Sequence, residues 1–150
     1  MSKSIQHTLF FPHPATTVWE YLTTSELMAQ WLMPNDFKPV MGQDFQFRIR
    51  ELPEMEFDGI VYCQVLEIVP HKKLRYSWKL GPGGGQINVD SVVTWTLTEK
   101  DGGTELALLH TGFKDTVNIK LYDGMTAGWL SNMKKIAQLA NNAKNDATKA

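Results

Sequence analysis

Side chains that could carry out chemistry are few and scattered in this sequence. The histidines, His7, His13, His71 and His110, lie far apart along the chain, and Cys63 is the single cysteine. A metal site needs three or four His, Cys, Asp or Glu ligands at suitable spacing, which this sequence does not offer. We therefore predict no metal and no resident cofactor.

His110 is the histidine that could matter most for catalysis. It shares the alternating phase of Leu106 and Leu108 in a predicted strand, so its ring would point inward among apolar side chains. An inward histidine could serve as a general base. The alternative is a structural histidine with satisfied hydrogen bonds near the end of a strand, and the sequence favours this alternative.

Other catalytic patterns are absent or lack context. Asp58, with Glu51, Glu54 and Glu56 before it, could place a carboxylate at a cavity rim, although charged residues grouped in a loop are usually solvated. No serine sits in a G-x-S-x-G elbow, and the GPGGGQ segment at 81–86 lacks the GK[ST] of a phosphate loop. The sequence therefore favours a binding protein over an enzyme.

Aromatic residues are the most unusual feature of the composition, with five Trp, seven Phe and four Tyr. Such large flat side chains must pack together or line a pocket. The same apolar residues serve a filled core and a ligand pocket equally well, so the sequence leaves both interpretations open. The candidate ligand-binding residues are Trp31, Phe45, Phe47, Tyr62, Tyr76, Trp78, Trp95, His110, Trp129 and Met133.

The elements that must position these residues follow from periodicity. Residues 4–11 alternate and end at Pro12, which indicates a first strand. Two apolar stripes at helical spacing then predict two short helices, the second opened by a Thr23-x-x-Glu26 capping box. Alternation at 45–49 predicts a further strand with one solvated face.

Two hairpins and a long helix complete the pattern. GIVYCQVLEIV and LRYSW flank a PHKK turn, and VVTWTLTE and TELALLHTGF flank a KDGG turn. From about 116 to 143 apolar residues recur at helical spacing, although Gly124 and Gly128 weaken the start of this helix. Strands grouped between helices predict an α+β architecture in which the last helix covers the sheet.

Bulk composition limits the classes of partner and the location. The net charge is -1, with 15 Lys and Arg against 16 Asp and Glu, so we expect no nucleic-acid partner. No apolar run is long enough for a signal peptide or a membrane span, and a lone cysteine suits a reducing cytoplasm. We predict one domain over 1–150, ordered over about 4–140, with a frayed tail at 141–150.

Several segments carry a resemblance to a known family: Val18-Trp19, SELMAQWLMP, VMGQDFQFRI, GIVYCQVLEIVPHKKLRYSW, VVTWTLTEKDGGTEL, HTGF and the GW pair of the last helix. Together they resemble the activator of heat-shock-protein-90 ATPase homologue branch of the START-like superfamily, also called the polyketide cyclase or SRPBCC superfamily. The resemblance runs through nearly the whole chain. It implies the helix-grip fold, a curved antiparallel sheet wrapped around a long C-terminal helix, with a cavity for lipids, polyketides or other apolar molecules.

Three functions are consistent with these observations. The first is a START-like protein that binds a hydrophobic or aromatic small molecule in its cavity. The second is an interaction protein that regulates a chaperone, as the family name implies. The third is a cofactor-free enzyme of the polyketide cyclase type, in which His110 or a rim carboxylate acts as general base.

Overall fold

The computed structural model describes residues 2–149, with side chains described from 3 to 144. The element order matches the sequence prediction of one strand, two short helices, a run of antiparallel strands and a long helix. The elements are β1 (Ser2–Phe11), α1 (Ala15–Thr23), α2 (Ser25–Trp31), β2 (Asp44–Arg48), a 3-10 turn (Pro53–Met55), β3 (Ile60–Val69), β4 (Lys73–Leu80), β5 (Val89–Lys100), β6 (Gly103–Lys114) and α3 (Ile119–Lys149).

The strands form one antiparallel sheet in the order β1-β6-β5-β4-β3-β2. Both predicted hairpins are confirmed, because β3 pairs with β4 and β5 pairs with β6. The register of β3 against β4 shifts between Val65 and Glu67, and that of β1 against β6 shifts between Lys3 and Ser4. Such bulges increase the local bend and twist of a strand, which helps the sheet to curve around its inner face.

Alternation decides which side chains enter the core. Along β4, Leu74, Tyr76, Trp78 and Leu80 are buried, while Lys79 is exposed. Successive side chains of a strand point to opposite faces, so one face of the sheet is apolar and the other is solvated. The apolar face needs a cover, which α3 supplies with side chains that are buried between 121 and 140, among them Trp129, Met133, Ile136 and Ala140.

Two short helices after the first strand are confirmed, but the predicted capping box is wrong. Thr23 is the last residue of α1, and its hydroxyl donates to the carbonyl oxygen of Trp19 at 2.7 Å. This bond, four residues back along the helix, occupies the hydroxyl that a capping box would need. Thr24 precedes α2 instead, without a side-chain cap, and the Ser25 hydroxyl donates to the carbonyl of Asn35 at 2.9 Å.

The long helix begins three residues later than the periodicity predicts. Asn118 stands just before it, and its side-chain oxygen accepts from the backbone N–H of Leu121 at 3.2 Å. An asparagine in this position satisfies an N–H group that has no partner within the helix, so it defines the start of α3.

The end of α3 lies beyond the predicted limit. The helix continues to Lys149, through most of the segment for which we predict fraying, and Ala150 lies outside the described residues. Within this segment, the side-chain oxygen of Asn141 is 2.6 Å from Nε2 of the buried His13. The fraying itself and the single-domain assignment stay predictions.

One hydrophobic cluster joins the sheet, the two short helices and α3. The six-stranded antiparallel sheet, the short helices after its first strand and the long C-terminal helix are the helix-grip, START-like fold, as predicted. Within the described part of the chain, no helix combines the length and the apolar composition needed to cross a membrane.

Candidate functional site: a ring core beside an apolar pocket

Tryptophan rings fill the space between the middle of the sheet and the middle of α3. The Trp129 ring of α3 lies 5.0 Å from that of Trp78 and 5.6 Å from that of Trp95, measured between centroids. Trp95 in turn meets Trp31 of α2 edge to face at 5.8 Å. These separations are typical of packed aromatic pairs, so this part of the interior is filled.

A second group of rings continues the packing towards the β2 edge of the sheet. Phe45 and Phe47 lie 5.4 Å apart, and Phe45 is also 5.4 Å from Tyr76. The hydroxyl of Tyr76 accepts from the indole N–H of Trp95 at 3.0 Å. These rings contact one another directly, so this part of the interior is also packed.

The indole N–H groups of the ring core differ in whether they have a hydrogen-bond partner. Trp31 donates to the carbonyl oxygen of Tyr21 at 2.7 Å, and Trp129 donates to Nδ1 of His110 at 3.0 Å. Trp78 is 3% exposed, and its Nε1 has no hydrogen-bond partner among the described residues. An unpaired buried donor costs free energy, so this group is the polar atom of the core that needs an explanation.

His110 is held by two hydrogen bonds whose donors can be assigned. Indole nitrogen can only donate, so Nδ1 of His110 must accept from Trp129. Ser91 Oγ lies 2.7 Å from the carbonyl oxygen of Trp78, to which it gives its single proton. The remaining bond, 2.8 Å between Ser91 and Nε2, therefore has His110 as donor. The ring is neutral and carries its proton on Nε2.

Burial sets the protonation state of this histidine. Desolvation lowers the pKa of His110 to about 3, because the charged form would lose its hydration in the apolar core. With both ring nitrogens engaged, the residue has no lone pair available to a substrate in this arrangement. The geometry corresponds to the structural interpretation that the sequence favoured.

The acidic residues predicted for a cavity rim do not converge on a site. Asp58 accepts from the backbone N–H of Ile60 at 3.0 Å, and its own N–H donates to the carbonyl of Gly81 at 2.8 Å. Asp58 thus connects the start of β3 to the glycine-rich loop. Glu51, Glu54 and Glu56 are exposed.

All predicted ligand-binding residues are buried except Tyr62. Residues Val61 and Cys63 of β3 point into the core, so Tyr62 between them points to the outer face and is 37% exposed. There it borders a polar depression of about 510 Å³ with Arg48 and Lys79. The β3 sequence is apolar in both phases, and this is why alternation could not assign the face of Tyr62 in advance.

An apolar pocket of about 260 Å³ lies beside the ring core, between the 3-10 turn, strands β3 and β4, and the first turns of α3. Ile49 and Gly124 are exposed, so the pocket lies at the surface. Trp78 is the one predicted ligand-binding residue that borders it. The lining residues are Met33, Ile49, Leu52, Met55, Phe57, Val61, Trp78, Leu80, Leu121, Gly124 and Met125.

Small and flexible residues create this pocket. Gly124 lacks a side chain, and a Cβ placed there would lie 3.8 Å from the terminal methyl of Met55. Met33, Met55 and Met125 are unbranched and can adjust to different shapes. Sequence reasoning missed these residues. The sequence signal that could have indicated the pocket is Gly124. A glycine inside a helix lowers its stability, and here the missing side chain leaves the neighbouring space open.

Comparisons with known proteins agree with the fold. The sequence matches the family described as "Activator of Hsp90 ATPase homolog 1-like protein" over residues 12–141. No curated protein matches the chain in sequence. The crystal structure of protein MLL2253 from Mesorhizobium loti is 31% identical with a TM-score of 0.82, over 93% of this chain and 98% of that one.

Two further structures share the fold at lower identity. The solution structure of protein BH1534 from Bacillus halodurans is 26% identical with a TM-score of 0.74, over 93% of this chain and 99% of that one. DynU16, a protein in the dynemicin biosynthetic locus, is 20% identical with a TM-score of 0.74, over 93% of this chain and 48% of that one. With the family match spanning most of the sequence, the chain belongs to the Activator of Hsp90 ATPase homolog 1-like family of START-like proteins.

Proposed function

We propose that this protein binds a small hydrophobic or aromatic molecule in the apolar pocket at the N-terminal end of α3. The observation that carries the proposal is the lining of this pocket, which consists of aliphatic and aromatic side chains, methionines and one glycine. Ligand sites are mostly apolar and concave, and typically enclose about 300 to 1,000 Å³. A pocket of about 260 Å³ suits a compact molecule of one or two rings.

The ring core supports this location rather than the centre of the sheet. Trp95 packs on both Trp129 and Trp31, and the N–H groups of all three rings have hydrogen-bond partners. A ligand could therefore enter there only by displacing packed side chains. The pocket needs no such displacement. Of the residues predicted from sequence, Trp78 is therefore the one that the proposal retains as a direct ligand contact.

A pair of glycine variants tests the proposal. Gly124→Leu places a side chain towards Met55 and fills the pocket, whereas Gly128→Leu extends into open space one helical turn later. Both changes remove a helix-weakening glycine, which costs about 1 kcal/mol relative to alanine, so both variants should fold. Any difference in binding between them therefore reports on the pocket.

The measurement combines native mass spectrometry of the purified protein with thermal-shift titration. The panel contains one-ring and two-ring aromatic compounds, flavonoids, fatty acids and polyketide analogues. Wild type and Gly128→Leu should show saturable stabilisation that follows RT ln(1 + [L]/Kd), and Gly124→Leu should show none. Equal stabilisation of the two variants, or indifference of the wild type to every compound, would reject the pocket as the binding site.

The family description favours a second candidate function, regulation of a chaperone ATPase through a surface contact. The test is the ATPase rate of purified heat-shock protein 90 with and without this protein. Stimulation that is equal for wild type and Gly124→Leu would assign the function to the surface. No stimulation at saturating protein would remove this candidate.

A further inference from the structure

We propose that the outer face of the sheet carries a second binding site, centred on Tyr62, for a neutral polyhydroxylated molecule of the saccharide type. The site is the polar depression of about 510 Å³ over strands β2, β3 and β4. It shares no lining residue with the apolar pocket, so the two proposals rest on different observations. The failure of one therefore leaves the other standing.

The strand register places Tyr62 at the centre of a group of polar side chains. Tyr62 pairs with Gln46 of β2 on one side and with Lys79 of β4 on the other. Two residues further along β3, Gln64 pairs with Asp44. Side chains at directly opposed positions of neighbouring strands lie on the same face and are in reach of one another. The Tyr62 ring therefore has polar neighbours on both flanking strands.

The buried neighbours of these residues fix the direction in which they point. Phe45 and Phe47 of β2 are buried, as are Trp78 and Leu80 of β4. Because successive side chains of a strand alternate between the two faces, the residues next to these four point outwards. The outward side chains that border the depression around Tyr62 are Asp44, Gln46, Arg48, Gln64, Ser77 and Lys79.

Tyr62 provides a flat apolar surface within this polar group. It is 37% exposed, and its ring packs on no other aromatic ring of the described chain. A saccharide presents C–H groups on the faces of its ring and hydroxyl groups around its edge. A tyrosine ring can receive the C–H groups, while the surrounding side chains bind the hydroxyl groups.

Several hydrogen-bonding groups in the depression are not used by the fold. Among the described residues, the carboxylate of Asp44 and the hydroxyl of Tyr62 have no partner. The Gln64 amide donates to the carbonyl oxygen of Gly42 at 3.3 Å, which leaves its side-chain oxygen free to accept. All three side chains are exposed, so a ligand reaches them by replacing water and displaces no packed group.

The balance of charge favours a neutral ligand over an anionic one. Arg48 and Lys79 are the cations that border the depression, and Asp36 and Asp44 are the anions. Lys79 also lies 4.0 Å from the carboxylate of Asp90. Cations and anions are equal in number around the depression, so no net positive field is available to attract a phosphate or an acidic peptide.

Isothermal titration calorimetry with neutral saccharides tests the site. The panel is glucose, maltose, lactose, cellobiose and diacetylchitobiose, with adenosine monophosphate as an anionic control that can also stack on a ring. At least one saccharide should bind, and raising the NaCl concentration from about 50 to 500 mM should change its Kd by less than about twofold, because no ligand charge is screened. Binding of adenosine monophosphate alone, or of no compound, would overturn the proposal.

A matched pair of variants identifies the residue that carries the binding. Tyr62→Ala removes the ring, and Leu109→Ala removes a side chain of similar exposure, 39%, that points outwards from β6 between the buried Leu108 and His110. Both side chains are exposed, so both variants should fold. Tyr62→Ala should weaken saccharide binding by about tenfold, and Leu109→Ala should leave it unchanged. Equal affinities of the two variants would overturn the assignment to Tyr62.

Nuclear magnetic resonance of the backbone amides separates this site from the apolar pocket. The bound saccharide should shift the signals of residues 44–48, 62–64 and 77–79, and it should bind Gly124→Leu as tightly as wild type. Hydrophobic compounds that bind the apolar pocket should still bind Tyr62→Ala. Loss of saccharide binding in Gly124→Leu, with shifts confined to the start of α3, would place the saccharide in the apolar pocket and overturn the second site.

Discussion

The segment of α3 from 121 to 133 has two halves that face the same sheet but produce opposite results. In the middle of the helix, Trp129 and Met133 are fully buried and pack into a set of rings with matched hydrogen bonds. Near its start, Gly124 and the half-buried Met125 leave an apolar pocket. The backbone geometry is the same in both halves, so the size of the inward-facing side chains decides whether the space is filled or open.

This comparison also separates two kinds of polar group. His110 lies in the filled half and has both ring nitrogens bonded, so it is a structural residue in the observed arrangement. Trp78 lies at the border, and its N–H group is unpaired among the described residues. A filled core normally satisfies its polar atoms internally, and the buried N–H of Trp78 is an exception to this rule.

The largest effect on stability should come from removing a large side chain in the filled half. Trp129→Ala should lower the free energy of unfolding by about 3 to 5 kcal/mol, because it leaves a cavity and also deprives His110 of a donor. Urea denaturation monitored by far-ultraviolet circular dichroism measures this loss. A loss below about 1 kcal/mol would contradict a filled core around this ring.

The same substitution in each half gives a sharper comparison. Met133→Ala should cost about 2 to 5 kcal/mol because Met133 is fully buried. Met125→Ala, two turns earlier, should cost roughly 1 kcal/mol because that side chain is half-buried at the pocket and loses less buried surface. If urea denaturation gives equal losses of unfolding free energy for the two variants, the pocket half is packed as tightly as the core.

Acid should destabilise the filled half through His110. The unfolded residue titrates near pH 6.5, and the pKa in the folded protein is about 3. Between these values only the unfolded state binds the proton, so stability is full above about pH 6.5 and falls as the pH drops towards 3.

Protonation of His110 in the unfolded state should lower the free energy of unfolding by about 2 kcal/mol between pH 7 and pH 5. Gln can replace both hydrogen bonds without titrating. The free energy of unfolding of His110→Gln should therefore fall by about 2 kcal/mol less than that of the wild type over this interval. Urea denaturation at the two pH values measures the difference. An equal fall in the free energy of unfolding of both proteins would contradict a lowered pKa of His110 in the folded state.

The smallest effect concerns the helix backbone at the pocket. Gly124→Ala and Gly128→Ala should each stabilise the protein by up to about 1 kcal/mol, because alanine restricts the unfolded chain and neither Cβ meets an atom closer than 3.8 Å. Thermal denaturation compares the two. Destabilisation by Gly124→Ala alone would indicate that Met55 cannot move, and that the pocket is more rigid than its methionines imply.

The sequence by itself was sufficient for the fold and for part of the core. Period-two and helical patterns predicted the order of the elements along the chain, the two hairpins and the covering helix, since each element must bury one face. The inward phase of His110, Trp78 and Trp95 followed from strand alternation. The α3 start was missed because Asn118, a capping residue, determines it rather than the apolar pattern.

Only the tertiary structure decided which aromatic residues are packed and where space remains. Packing depends on the distances between side chains of different elements, such as Met55 and Gly124, which lie far apart in the sequence. The face of Tyr62 was undecided because β3 is apolar in both phases. The unpaired N–H of Trp78 also depends on every neighbour at once, since a hydrogen bond exists only where a partner atom lies within reach.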